Sequence, residues 1–275
     1  MIEMHESSLG TPPKISVVTV VRNGRQFIEH TIKSVAGQTY PNREYIVVDG
    51  GSTDGTVDII RSYDAQITKW ISEKDEGIAD AFNKGLGYVT GDYVLFLNSD
   101  DALADSEVLA AVAQRIAQEG FPELIYGDYY ILKRDADEVL YRGSVQFDPG
   151  KVLYGQVLPH PCLFTRRSYF VKYGTFDTHF RIAMDYEWLL RGMLKERVVH
   201  FPVVTTKIRD GGISTVDPKR VVEEIFLALR KNGHFSSKWA EFKIRGYFFI
   251  RASSRKALAA LGLYKLFSSL RNRFK

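Results

Sequence analysis

Between Lys14 and Asp101, short β-branched runs alternate with amphipathic stretches of helical spacing, and few folds accommodate that rhythm. Ile15–Val21 reads as a strand buried on both faces, after which Phe27, Ile28, Thr31, Ile32 and Val35 recur at helical spacing up to Gly37. Tyr45–Val48 is a second strand, Thr56 to Tyr63 a helix, Ile67–Ile71 a third strand, Gly77–Val89 a helix and Tyr93–Leu97 a fourth strand. This order predicts a parallel, doubly wound sheet with ligands at the carboxyl ends of its strands. After Ala102 the rhythm changes, and the sheet is expected to become mixed. A helix near Ser106–Gln118 is followed by strand-like Leu124–Leu132 and Val139–Tyr141, helical Arg166–Tyr173 and Ala183–Leu194, extended Val198–Ile208 and a helix over Val221–Lys231. The expected organisation is a flexible leader (1–13, ending in Pro12-Pro13), two halves of one domain (14–101 and 102–235) and a basic amphipathic helical tail (236–275).

With 275 residues, 45% of them hydrophobic and 25% charged, the chain is long enough to bury a real core. Cys162 is the sole cysteine, which excludes an internal disulfide and a cysteine-based zinc cluster and suits a reducing cytoplasm. No apolar run approaches the roughly 18 residues needed to cross a bilayer, and the first residues lack the basic start and apolar stretch of a secretion signal. A cytoplasmic location follows as the expectation. The net charge of +4 is unevenly spread: residues 236–275 hold ten Lys or Arg against the single acid Glu241, a balance of +9 that leaves residues 1–235 at −5. In that tail Tyr247, Phe248, Leu258, Leu261 and Leu266 alternate with Arg251, Arg255, Lys256 and Lys265. Such a stretch suits an anionic membrane surface, placing the protein peripherally on the inner face; the plainer alternative is an apolar stripe packed on the body with solvated charges. No recognised nucleic-acid motif accompanies the charge, so no nucleic-acid partner is expected.

Three segments carry candidate chemistry. The strand Tyr93–Leu97 runs into Asn98-Ser99-Asp100-Asp101. Carboxylates at such a strand end can hold a divalent metal, Mg²⁺ or Mn²⁺, able to neutralise a diphosphate, unless they merely cap the helix beginning near Ser106. Asp49–Gly55 is a loop of glycine and small polar residues whose backbone N–H groups can approach a ligand closely, and the helix start at Thr56 adds partial positive charge. It matches neither the dinucleotide Gly-x-Gly-x-x-Gly nor the Gly-Lys-Ser/Thr of a P-loop. In Asp75–Gly85, a helix starting near Gly77 sets Asp80, Asn83 and Lys84 on one face, fit to read ribose hydroxyls and steady a phosphate, or else a solvated face with a local ion pair.

Together Ile15–Asn23, Val47–Thr56, Asp75–Gly85 and Phe96–Asp101, four pieces in this order, resemble the nucleotide-sugar-binding half of the family 2 glycosyltransferases. The resemblance implies an α/β chain with the GT-A fold, a Rossmann-like nucleotide-binding mixed sheet flanked by helices, here with a C-terminal helical appendage. It implies a nucleotide-sugar donor held by Thr19, Val21, Asn23, Asp49, Asp75, Gly77, Asn83, Lys84, Asn98, Ser99 and Asp100, with Thr19 and Asn23 in the nucleotide pocket, Asp49 at the base, and Asp75 and Asn83 at the rim. Asp100 corresponds to the last carboxylate of the family's Asp-x-Asp metal motif, and either Asp100 or Asp101 is the direct ligand. Asn98 fills the motif's first position, one anionic ligand fewer, and Ala79 stands where many relatives have an aromatic residue. His160–Arg167 resembles the segment preceding the acceptor site, and Phe180–Arg191 resembles the helix start that bears the catalytic base, aligned with Asp185. Met184 replaces the Glu that relatives often carry before it. His160, Tyr186, Glu187 and Trp188 are the acceptor candidates, although aromatic residues on a helix commonly belong to a core. Arg209–Ser214 resembles the segment that closes over the substrates.

The reaction so implied is inverting transfer of a single sugar from a nucleotide diphosphate sugar, expected to be a UDP sugar, to a hydroxyl acceptor. The acceptor is expected to be a saccharide or lipid-linked saccharide in cell-surface polysaccharide synthesis. No Gln-x-x-Arg-Trp motif follows, and the transmembrane helices of processive synthases are missing, which favours single transfer. Two other classes compete. A sugar-nucleotide nucleotidyltransferase needs an early basic Gly-rich loop, of which Arg22-Asn23-Gly24-Arg25 is a poor version; the other is a non-catalytic nucleotide-sugar-binding protein.

Overall fold

The computed structural model describes residues 12–155, 158–212, 217–235, 237–239 and 241–248, so nearly all of the expected leader and residues 249–275 of the tail lie outside the described residues. The first half runs β1 (Ile15–Val21), α1 (Ile28–Ala36), β2 (Arg43–Asp49), α2 (Thr56–Ser62), β3 (Lys69–Ser72), α3 (Ile78–Leu86) and β4 (Tyr93–Phe96). The second half runs β5 (Ala102–Leu103), α4 (Val108–Gln118), β6 (Leu124–Leu132), β7 (Val139–Gly143), α5 (Pro149–Val152), β8 (Leu163–Arg166), α6 (Arg167–Tyr173), α7 (Met184–Leu190), β9 (Val198–Arg209) and α8 (Pro218–Lys231).

One sheet carries the order β3-β2-β1-β4-β8-β6-β9-β5, with β7 paired to β6. The strands β3, β2, β1 and β4 are parallel, as the alternating first half requires. The sheet turns mixed at β8, which is antiparallel to both β4 and β6. β9 then lies parallel to β6, and β5 antiparallel to β9. Neither β5 nor β8 was expected; each is too short for its periodicity to be read. Helix α7 stops at Leu190 instead of reaching Leu194 and gives way to a run of tight turns, in which Gly192 lies against the Tyr173 ring, 2.4 Å from where a Cβ would sit.

Successive side chains of a strand enter opposite faces of the sheet, and β1 shows both destinations. Val17 joins Ile28, Ile32, Leu95 and Leu109 beneath α1 and α4. Val18 joins Val48, Phe82 and Phe96 in a second core shared with α3, α6, α7 and α8. The aromatic centre of this second core is Trp188, stacked on Phe170 at 4.5 Å and 19° and donating its Nε1 hydrogen to the Gly174 carbonyl. Residues 241–248 are helical and lie on the body: Ile244 is buried, Phe248 meets Phe226 at 5.7 Å, and Tyr247 meets Tyr154 at 4.9 Å. No helix among the described residues is long and apolar enough to cross a membrane.

Trp188 is thereby a core residue, not the acceptor contact expected of it. Trp188→Ala should cost about 3–5 kcal/mol in urea denaturation, the usual cost of emptying a large aromatic site. Wild-type stability in that variant would return Trp188 to the surface role.

Candidate active site

The carboxyl ends of β1, β2 and β4 meet at a loop cluster. Asn23 sits in the left-handed region at φ 53°, which lets its Oδ1 accept from Thr53 N (2.9 Å) while its own N–H donates to Ser52 Oγ (2.7 Å). The Gly-rich loop is thus tied to the end of β1. Asp49 is fully buried; its Oδ2 accepts from Gly51 N, Ser52 N and Ser72 Oγ, while Oδ1 has no partner among the described residues. Gly50 leaves room for the Asp75 carboxylate, whose Oδ2 would lie 1.8 Å from a Cβ there, and Asp75 Oδ1 accepts from Gly77 N. Asp75 and Gly77 border an open depression with Arg22, Lys74, Glu76 and Arg181.

Beyond it lies a cleft of about 530 Å³ that brings Asn98, Asp100 and Asp101 from the end of β4 together with His160, Asp185 and Tyr186. The carboxylate of Asp100 is part-exposed and lies 3.4 Å from Arg134 Nη1 of the β6–β7 turn. Asp101 is different. Its Oδ1 accepts from Arg209 N (3.0 Å) and its Oδ2 from Asn98 Nδ2 (2.8 Å). Burial and the neighbouring Asp100 push its pKa up to about 8 against those two donors.

Asp185 stands in the first turn of α7, its Oδ1 accepting from Tyr186 N (2.7 Å). Burial outweighs that hydrogen bond and pushes the carboxyl up to about 6. The backbone leading into α7 is held from α8: Glu224 accepts from the consecutive N–H groups of Arg181, Ile182 and Ala183 at 2.8–3.1 Å and pairs with Arg220. Burial alone would raise the Glu224 pKa, but these donors hold it below the usual range. His160 rests on Phe96 (5.8 Å, 24°) and beside Phe82 (5.2 Å). Its Nε2 is enclosed without a hydrogen-bond partner among the described residues, and burial pushes the ring pKa down to about 4, so the imidazole is neutral.

Two carboxylates from different halves thus face one cleft beside a Gly-rich loop with an unpaired buried carboxylate oxygen. The sequence profile described as Glycosyl transferase family 2 matches residues 16–146. A glycosyltransferase of Mycobacterium tuberculosis, described as uncharacterized, is 32% identical over 229 residues, 82% of this chain and 86% of that one. The chain is a family 2 glycosyltransferase.

The Bacillus subtilis protein named as the putative teichuronic acid biosynthesis glycosyltransferase TuaG is 46% identical over 92 residues, 32% of this chain and 36% of TuaG. The fold matches Staphylococcus aureus TarS with a TM-score of 0.63 at 21% identity, over 78% of this chain but only 39% of TarS, a protein also solved with UDP-GlcNAc. It matches the mannosyltransferase PcManGT of Pyrobaculum calidifontis, solved with GDP-Man and Mn²⁺, with a TM-score of 0.59 at 20% identity over 95% of this chain and 84% of that one. The fold is therefore the GT-A fold of these glycosyltransferases, with helix 241–248 as its described appendage.

Several residues expected at the site of this glycosyltransferase are committed to the fold instead. Thr19 is fully buried and its Oγ1 takes the Tyr45 hydroxyl hydrogen (3.2 Å), and Val21 is a core residue. The Asn83 amide is spent on both backbone groups of Phe176, and Lys84 is closed by Glu73, Asp80 and the Lys74 carbonyl. Asp101, with both oxygens engaged, is not placed as the direct metal ligand. Ser99 holds α1 through its carbonyl, which accepts from Thr31 Oγ1. Glu187 is fully buried and paired with Arg191 and Lys231. The Tyr186 hydroxyl, though its residue borders the cleft, donates to the Val152 carbonyl (2.7 Å). Of Arg209–Ser214, the segment through Gly212 lines the cleft, and Ile213 and Ser214 lie outside the described residues. The expectations missed Arg134 and Glu224; only Glu224 carried a signal, an acid inside the apolar stripe of Val221, Val222, Ile225 and Phe226.

Removing the Glu224 carboxylate strands three backbone donors. Glu224→Ala should lower stability in chemical denaturation by about 1–3 kcal/mol. Arg220→Ala, which removes only a half-exposed partner, should cost less than about 1 kcal/mol. Equal effects of the two would show that the backbone grip contributes nothing.

Proposed function

We infer that the protein transfers a single sugar, with inversion, from a UDP sugar to a hydroxyl of a saccharide or lipid-linked saccharide in surface polysaccharide assembly, working at the inner face of the membrane. The carrying observation is that Asp100 and Asp185 share one cleft. Asp49, buried, holds the Gly-rich loop through Gly51 and Ser52, and Asn23 and Asp75 frame the same loop. TarS with UDP-GlcNAc supports the choice of donor, and the name of TuaG supports the polysaccharide setting.

Among the described residues no cluster of three His, Cys, Asp or Glu gathers to hold a metal; Asp100, beside Arg134, would give a divalent cation of the Mg²⁺ or Mn²⁺ kind one carboxylate, with the other positions left to diphosphate oxygens and water. Bound there, the cation would neutralise charge on the departing nucleoside diphosphate. The acceptor oxygen attacks the anomeric carbon, its proton passes to a carboxylate oxygen of Asp185, and the bond to the diphosphate breaks. One displacement inverts the centre. The pKa of Asp185, near 6, keeps it ionised at neutral pH yet more basic than an exposed aspartate, which suits a general base. His160 is neutral and adds no charge to the cleft it lines.

Thermal-shift titration with UDP and GDP sugars, with and without Mn²⁺, tests the donor. The correct one should add about 2.7 kcal/mol at one hundred times its dissociation constant. No stabilisation by any of them would overturn the reading. Asp185→Asn should retain that stabilisation and lose about 10²–10⁴ in turnover. Because the base must be ionised, wild-type kcat/KM should fall as pH drops through about 6, where the carboxyl of Asp185 gains its proton. An acid limb nearer pH 4 would detach the base role from Asp185.

A further inference from the structure

We propose that the outward face of the helix beyond Ser237 is a membrane-docking surface, with Trp239 and Phe242 entering the headgroup region of an anionic bilayer. The proposal rests on the lipid-linked reading above for its purpose, while its test does not involve the donor. Trp239 and Phe242 are 63% and 62% exposed, more than any other large hydrophobic side chain among the described residues, and they stack on each other at 5.3 Å and 7°. They belong to one face: positions 239, 242, 243 and 246 recur at spacings of three and four. Nothing within 4 Å would meet a Cβ at Gly246, so this face stands clear of the body.

The opposite face is anchored. Glu241 pairs with Arg230 and Arg245, Ile244 is buried, Arg245 lies 4.4 Å over the Phe226 ring, and Phe248 packs on Phe226. The helix is therefore held rigidly enough to present an aromatic pair instead of burying it. Charge selects the occupant. Lys243 stands 5.8 Å over the Trp239 ring, and the +9 balance of residues 236–275 contrasts with −5 for the rest of the chain. Aromatic side chains beside Lys and Arg form the composition that settles at a bilayer interface, and each nearby cation adds attraction to anionic lipid. A second copy of this chain would bring the same positive field to the contact and be repelled.

Co-sedimentation of the full chain with vesicles of phosphatidylcholine alone, or mixed with phosphatidylglycerol, tests this. The wild type should bind the mixed vesicles, bind the neutral ones weakly, and release with added salt. The double variant Trp239→Ser/Phe242→Ser should lose more than about tenfold in partition coefficient at little-changed melting temperature, since both side chains are mostly exposed. Trp239→Phe should keep binding but lose the vesicle-induced blue shift of tryptophan emission. Unchanged partition of the double variant, or indifference of the wild type to anionic lipid, would overturn the proposal. So would a wild-type dimer in sedimentation velocity that the double variant abolishes, which would make the face a contact between copies. UDP-sugar stabilisation, measured separately, stays intact in the double variant, so failure here is distinguishable from failure of the donor reading.

Discussion

The buried carboxyl of Asp101 is the knot on which the cleft depends. It accepts from Asn98 in its own turn and from the backbone N–H of Arg209 at the end of β9, while its carbonyl accepts from Thr31 Oγ1 of α1 at 2.6 Å. Three elements from both halves are thereby fixed around one residue, and the adjacent Asp100 is left facing the cleft. The substitution of Asn98 for the family's first acidic position becomes intelligible in these terms. An amide can donate to Asp101, whereas an ionised carboxylate there offers no donor and would add a further negative charge beside Asp100. The Asn98 amide thereby gives the buried acid a hydrogen-bond partner.

The second wall depends on α7, and the residues expected to touch an acceptor turn out to orient that helix. Trp188 bonds Gly174, Tyr186 bonds Val152, and Glu187 pairs with Arg191 and Lys231. With Glu224 gripping the three residues before Met184, the helix start has little freedom. A general base gains more from such fixed placement than from added basicity, because misplacement of the reacting groups forfeits the advantage of proximity.

The parallel half was legible because both faces of β1, β2 and β4 are buried, which gives near-continuous apolar runs, and because its loops announce themselves through glycine. The mixed half was only partly legible. β8 has four residues and β5 two, so neither shows a period, and their pairing is decided by partners far along the chain. The same distance explains the site. Spacing correctly set Asp80, Asn83 and Lys84 on one face, but the group that claims Asn83 is the backbone of Phe176, 93 residues away, which no local pattern reports. Asp100 and Asp185 were legible through the motifs around them; that Asp101 and Glu187 serve the fold and Asp100 the cleft emerges only from three-dimensional pairing.

Helix α8 links the two ends of the molecule's business. Through Glu224 it holds the backbone before Asp185, and through Phe226 and Arg230 it holds helix 241–248. Glu241, the single acid of the tail, is consumed in that second attachment, which leaves the remaining tail cations without an acidic partner from the tail itself. One rigid element therefore sets the Asp185 carboxylate at a fixed offset from the aromatic pair Trp239 and Phe242. The proposed use of a bilayer-borne acceptor would require the cleft to be held at a constant height and tilt above the lipid. A shared supporting helix supplies that directly, without a flexible linker whose conformational entropy would have to be lost on each encounter.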